Sequence, residues 1–353
     1  MVDWGLARQI ARFAARPEEA PRLKFDLTAF TREIEARVVT HAKLIPATPV
    51  PGAEVVSRAE WAEANIATLA SLLDPVAERL DRRLAAAGPL AGALRTGAGV
   101  TLAAEVGLVT GYLSRRVLGQ YELSLLAPEE PARLLFVAPN LDRAVTELAV
   151  DSESFMRWVA IHELVHALQF GGVPWLRGRM GELLRQFLAT VDVRIEHGPE
   201  PLMRRLFPLP SPALLVERFR EGGLVALVQT RDQRDLLASM QATMAMVEGH
   251  AEHVMDALAP ELVPEHEGLR EAMNHRRASR SAPERVLASL LGMDLKLRQY
   301  ELGKSFCDAV VEEGGIDLLN EAWSSPARLP TLGELQMPKS WMARIEDAPT
   351  AAA

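Results

Sequence analysis

The stretch Trp158-Val-Ala-Ile-His162-Glu163-Leu-Val-His166-Ala-Leu-Gln-Phe170 is apolar, contains no proline and is followed by two glycines. This composition predicts a helix inside the core. Residues four apart lie about 40° from each other around a helix axis, so His162 and His166 project from one face and can share a cation. Glu163 lies beside the first histidine, where it can reach a water on that cation without binding the cation itself. The stretch therefore predicts a metal centre on a buried helix.

The metal needs a third protein ligand, because catalytic zinc usually binds three side chains and leaves one position open. A longer form of the motif has a further histidine six residues after His166, but that position is Gly172. The third ligand must therefore come from a distant segment. The comparable cluster elsewhere in the chain, at residues 246–256, contains Glu248, His250, Glu252 and His253.

Glu248 is the predicted third ligand, and zinc is the predicted ion. Glu248 and Glu252 are four residues apart and share a helix face. One carboxylate can therefore bind the ion while the other accepts a hydrogen bond from an imidazole. His250 and His253 are the alternative ligands. If His253 is not a ligand, we expect it to lie with Glu252 behind the ligands.

Two further side chains are candidates for contact with the reacting group. His250 can donate a hydrogen bond to a tetrahedral intermediate, as oxyanion-stabilising groups do. Tyr300, in the polar stretch at residues 296–301, can polarise a carbonyl in the same way. Together with the general base, the predicted catalytic residues are Glu163, His250 and Tyr300.

Helical patterns dominate the rest of the chain, and proline-bearing segments separate them. Two short apolar segments, at residues 120–126 and 133–138, predict strands that can pair as a hairpin. The predicted class is mainly α with a small β-sheet (α+β). We expect an N-terminal helical region at residues 1–118, a region with the metal motif at residues 119–345, and a flexible C-terminal tail at residues 346–353.

One helical segment carries a row of small residues. Gly99, Ala103, Gly107 and Gly111 recur four residues apart, which places them on one helix face. Small side chains let a second helix backbone approach closely. The row therefore predicts a helix-packing face.

The charge and cysteine content exclude several classes of site. With 39 lysines and arginines against 47 acidic residues, the net charge is −8, the wrong sign for a protein that coats phosphate backbones. We therefore expect no nucleic-acid partner. Cys307 is the only cysteine, which excludes an internal disulfide and a thiolate metal cluster and is typical of a reducing compartment. Any metal must be held by histidines and carboxylates.

The sequence shows neither a secretory signal nor a membrane span. Charged residues interrupt the apolar pattern at the N-terminus, among them Asp3, Arg8 and Arg12. The most apolar stretch, at residues 97–113, contains Glu105 and is shorter than a bilayer crossing requires. We expect a cytoplasmic protein.

Landmark sequences across nearly the whole chain match a known family. They are residues 2–4, 118–121, 137–140, 158–166, 169–170, 173–177, 248–250, 296–300 and 329–331, with Gly303 and Phe306. On these residues the chain resembles the zincin-like metallopeptidase type 2 family, actinobacterial and chloroflexal proteins described as hydrolases or linked to deazaflavin-coenzyme biosynthesis. The resemblance implies a zincin-like metalloprotease fold, zinc on His162 and His166, and Glu163 as general base. No residue pattern here indicates a deazaflavin pocket.

Two hypotheses for the function follow. The first is a zinc-dependent hydrolase that acts on a peptide or amide bond, with Glu163 moving the proton. The second is a non-catalytic, metal-stabilised scaffold or partner-binding protein. Structural zinc sites are closed by four protein ligands. A fourth ligand from His250 or His253 would therefore favour the scaffold, whereas an open position would favour the hydrolase.

Overall fold

The computed structural model describes residues 2–16, 27–85, 91–125, 130–190, 231–278 and 293–347. Its α-helices are α1 (Trp4–Ala15), α2 (Leu27–Ala42), α3 (Arg58–Ala85), α4 (Ala91–Ser114), α5 (Ala138–Leu148), α6 (Ser152–Gly172), α7 (Leu176–Thr190), α8 (Arg231–Leu262), α9 (His266–Ala278), α10 (Met293–Asn320), α11 (Leu332–Gln336) and α12 (Pro338–Asp347). Short 3₁₀ turns lie at Glu321–Trp323 and Pro326–Arg328. Helix α10 is broken at Gly315, whose φ is 73°.

A small sheet accompanies the helices, so the predicted class of mainly α with a small β-sheet is confirmed. Its strands are β1 (Ala53–Val56), β2 (Gly119–Glu122) and β3 (Arg133–Val137), in the order β1-β3-β2. β2 and β3 pair antiparallel, as the predicted hairpin requires. β1 pairs parallel with β3 and was not predicted. The inner strand β3 is buried from Leu134 to Val137.

The described residues fall into two compact units whose segments alternate along the sequence. The first unit lies within Met1–Leu27, Ala53–Glu147 and Leu188–Val216. The second unit lies within Thr28–Gly52, Leu148–Phe187 and Glu217–Ala353. This grouping follows contacts in space, and the boundaries at residues 118 and 345 stay a prediction.

The first unit packs its helices around the sheet and around the predicted row of small residues. One of its core clusters comprises Ala11, Val56, Trp61, Ala62, Ile66, Leu135 and Val137. On α4, a Cβ added at Gly107 would lie 2.6 Å from the carbonyl oxygen of Ala7, and one at Gly111 would lie 2.6 Å from that of Ala11. The backbones of α1 and α4 are therefore in direct contact, and the predicted packing face is confirmed.

Helix α4 is apolar but carries Glu105. None of the helices in the described part of the chain combines the length and apolar character needed to cross a membrane. The cytoplasmic location stays a prediction.

The α1–α4 contact predicts the effect of a single methyl group. Gly107→Ala is expected to lower the free energy of unfolding by about 1–3 kcal/mol, because the helix backbones must move apart. Gly97→Ala, in the same helix, is the matched control, since nothing lies within 4 Å of its added Cβ. Alanine there is expected to be neutral or slightly stabilising. Urea denaturation followed by circular dichroism measures both, and equal midpoints for the two variants would contradict the contact.

Candidate metal centre

Helix α6 carries the histidine motif within the second unit. It begins after Asp151, whose side chain accepts a hydrogen bond of 2.7 Å from the backbone N–H of Ser154, and this bond lowers the pKa of the Asp151 carboxyl. It ends at its two glycines, where the backbone N–H of Ala47 donates to the carbonyl of Gly171. A Cβ at Gly172 would lie 3.0 Å from the carbonyl oxygen of Ile45, so a larger residue would crowd this chain crossing. The buried helix predicted from the motif is confirmed.

Helix α8 carries the second cluster and is held against α10 at the level of Glu248. A Cβ at Gly249 would overlap the carbonyl carbon of Gly303, and one at Gly303 would overlap the carbonyl oxygen of Ala245. The two backbones therefore touch beside Glu248. Because rigid elements in direct contact define side-chain positions better than loops do, this contact helps to fix the carboxylate.

Three side chains of α6 and α8 converge on one point. The Nε2 atoms of His162 and His166 are 3.2 Å apart. Oε2 of Glu248 lies 3.4 Å from Nε2 of His166 and 3.7 Å from Nε2 of His162. Two ligands bound tetrahedrally to zinc at about 2.0–2.1 Å are about 3.3–3.4 Å apart. The three atoms therefore stand close to three corners of a zinc tetrahedron, and their chemistry is that of zinc ligands.

The charge around these atoms also suits a cation. Glu163, Glu248 and Glu252 are buried, with exposures of 7%, 6% and 7%. Each of these carboxylates acts on the pKa of His162 in the direction that favours a positive charge. Burying anions is costly unless opposite charge accompanies them. A divalent ion between the imidazoles would provide that charge.

The sequence model of the zincin-like metallopeptidases matches residues 2–342. The chain belongs to this family. A crystal structure of a protein from Chloroflexus aurantiacus, provisionally called a hydrolase with a novel fold, is also similar. The two chains are 29% identical, the match covers 99% of this chain and 100% of that chain, and the TM-score is 0.70. No curated protein is significantly similar in sequence.

Membership of the zincin-like metallopeptidase family confirms the predicted family and fold. It supports a hydrolase and implies a metal, usually zinc. In the described part of the chain, His162, His166 and Glu248 form a group that could hold such an ion. Their individual roles stay predictions that this geometry supports.

The two histidines differ in their tendency to hold a proton. Burial, followed by the charge of the other ring, lowers the pKa of His162. Burial also acts to lower the pKa of His166, but Glu248, Glu163 and Gln169 together outweigh it and raise that pKa to about 9. In the metal-free protein at neutral pH, a proton on His166 therefore supplies positive charge beside Glu248.

The remaining predicted residues lie in different surroundings. His250 is fully buried, and its Nδ1 is 3.1 Å from the amide nitrogen of Gln169. Nδ1 of His253 is 2.8 Å from a carboxylate oxygen of Asp308. Tyr300 belongs to α10, but its side chain lies outside the described residues, so its catalytic role stays a prediction.

His250 and His253 therefore bond to groups other than the three converging atoms. The structure places His250 behind the ligands rather than on an exposed surface. Its predicted contact with a reacting group stays untested. Glu252 lies near the ligands, since its charge acts on His162.

Sequence reasoning missed Gln169 as a member of the site. Its Oε1 is 2.9 Å from Nδ1 of His166. The available signal was its position three residues after His166 on a helix, a spacing that makes side chains neighbours. An amide buried in an otherwise apolar stretch requires partners, and that requirement also pointed to a bonded residue.

The raised pKa of His166 predicts how zinc affinity depends on pH. Below about pH 9 zinc must displace a proton from His166, so the apparent affinity should rise about tenfold per pH unit between pH 7 and 9. Competition with a chelator of known zinc affinity measures it at each pH. Glu248→Gln should bind zinc more weakly and show a shallower pH dependence, since the charge that raises the pKa is gone. A parent affinity that does not change with pH would contradict the assignment.

Proposed function

We propose that the protein is a zinc-dependent hydrolase that cleaves a peptide or amide bond. The observation that carries the proposal is the convergence of the His162, His166 and Glu248 donor atoms at 3.2, 3.4 and 3.7 Å. Family membership adds weight to a hydrolase. The described residues supply a group of three such ligands, the number that catalytic zinc usually takes. Among the described residues, three ligands therefore leave a fourth coordination position for water or substrate.

Glu163 is the proposed general base. When bound, zinc lowers the pKa of a water molecule toward about 7 and polarises a carbonyl oxygen. Glu163 follows His162 directly, so its side chain leaves the helix about 100° around from that imidazole. From there it takes a proton from the attacking water and transfers it to the leaving amine. The carbonyl carbon gains the hydroxyl as its bond to nitrogen breaks.

The contacts of the neighbouring histidines favour a hydrolase over a metal-stabilised scaffold. A closed structural site would need a fourth protein ligand. His250 and His253, the candidates for that ligand, instead lie within hydrogen-bond distance of Gln169 and Asp308. Neither joins the group of three converging atoms.

The first test of the proposal is the substitution Glu163→Gln. It preserves the size of the side chain and removes the base, so zinc should remain bound while turnover falls by about 10²–10⁴-fold. A mixture of internally quenched peptides of random sequence serves as the substrate, and metal analysis confirms the zinc content.

Glu153→Gln is the matched control on the same helix. Glu153 is exposed and pairs with Arg157 at 2.8 Å, and such pairs contribute little. The control should therefore hydrolyse as fast as the parent. Hydrolysis by Glu163→Gln at the parent rate would rule out the assigned role.

A second test asks whether the metal position is open. Cobalt-loaded protein should change its visible absorption spectrum when acetohydroxamate is added, because this small ligand can bind only at a free coordination position. His250→Gln and His253→Gln should respond in the same way as the parent, since neither residue is a proposed ligand. No response in the parent, with a response in either variant, would indicate a closed structural site.

A further inference from the structure

We infer that Gln169 is a positioning residue of the metal centre, whose side-chain amide presents Nε2 of His166 to the ion and joins it to the backbone beside Glu248. The inference rests on the proposed function, because it concerns the same site. It assigns a role to a side chain that is neither a ligand nor the base.

Gln169 is fully buried between the helices that carry the ligands. On the α6 side, its Oε1 is 2.9 Å from Nδ1 of His166. On the α8 side, its Nε2 donates to the carbonyl oxygen of Val247 at 2.8 Å and lies 3.1 Å from Nδ1 of His250. One amide therefore connects the second histidine of the motif to the residue that precedes Glu248.

The chemistry of these partners fixes the orientation of the amide. The carbonyl of Val247 can only accept a hydrogen bond, so the NH₂ end of Gln169 must face it. The oxygen end then faces His166, and Nδ1 of His166 must carry the hydrogen that this oxygen accepts. In the neutral ring the lone pair is left on Nε2, the atom that lies 3.4 Å from Glu248.

His250 completes the arrangement from the opposite side. The second N–H of the Gln169 amide points to Nδ1 of His250, which must accept and therefore carries no hydrogen. The hydrogen of this ring is then on Nε2. The ring also packs edge-on against Trp323, with ring centroids 5.5 Å apart.

An amide at this position has a physical advantage over a carboxylate. Ligating histidines usually donate their second N–H to a carboxylate or a carbonyl, which orients the ring. Glu163, Glu248 and Glu252 already bury three carboxylates near the ligands. The oxygen of Gln169 orients His166 without adding a fourth negative charge. The nitrogen of Gln169 donates to the carbonyl of Val247 on α8. An ionised carboxylate has no hydrogen to donate and could not make this second bond.

The experiment compares zinc affinity in two variants of this side chain. Gln169→Met removes both ends of the amide, and zinc affinity should fall about 10–100-fold, the usual cost of losing such a partner. Gln169→Glu keeps an oxygen facing His166 and should lose less affinity. Equal affinity in the parent and in Gln169→Met would overturn the inference.

A buried amide in the first unit provides the matched control. Asn140 is fully buried and donates to the carbonyls of Ser114 and Val117 at 2.7 and 2.6 Å. Asn140→Leu should lower the free energy of unfolding but leave zinc affinity unchanged. A loss of zinc affinity in this control equal to that of Gln169→Met would mean that general destabilisation, rather than positioning, explains the effect.

The tautomers provide a readout that a purely structural role would not move. With ¹⁵N-labelled histidine, long-range ¹H–¹⁵N spectra of the zinc-loaded parent should show the hydrogen of His166 on Nδ1. In the metal-free parent they should show the hydrogen of His250 on Nε2. The opposite tautomer of His250 would reverse the amide and overturn the inference, even if Gln169→Met fails to fold. Absence of zinc binding by the parent would refute the proposed function and the positioning of a zinc ligand with it, whereas the His250 tautomer would separately decide whether the amide has the inferred orientation.

Discussion

The convergence of two partly buried imidazoles and three buried carboxylates is the constraint on which the second unit depends. Each carboxylate has an exposure of 7% or less, so water cannot compensate their charge as it does at a surface. Positive charge must come from within, either from an ion or from a proton. The positions of α6 and α8 bring His162 and His166 close enough to Glu248 to share that positive charge.

The distances between the ligand atoms depend on contacts between backbones. Helix α8 touches α10 where Gly249 meets Gly303, and α6 ends where Gly172 meets Ile45. At such contacts a missing side chain sets the spacing of the helices directly. A shift of one ångström between α6 and α8 would be large relative to zinc–ligand bonds of about 2 Å. The glycines therefore serve the metal centre although none of them contacts it as a ligand.

The sequence predicted those features that depend on local spacing. His162 and His166 follow from helical periodicity, the β2–β3 hairpin joins neighbouring segments, and Gly107 belongs to a regular row of small residues. Features that depend on distant partners escaped prediction. Strand β1 was not predicted because its extended conformation is recognisable only from its pairing with β3. The contact of Gly303 with α8 likewise depends on a helix that is distant in the sequence. The predicted contact of His250 with the substrate stays a prediction, whereas its burial and its bond with Gln169 could not be predicted, because they depend on partners brought together by folding.

In the metal-free protein, a proton on His166 offsets part of the negative charge that the ion would otherwise balance. Structural zinc sites often fold only when metal is present, since repulsion and unsatisfied ligands oppose folding without it. Here His166, whose pKa is raised to about 9, carries a positive charge beside Glu248 at neutral pH, and Gln169 accepts its second N–H. Loading with zinc then exchanges a proton for an ion at one atom, Nε2, while the hydrogen bond at Nδ1 is unchanged. Zinc would therefore enter at an atom whose neighbouring carboxylate already favours positive charge.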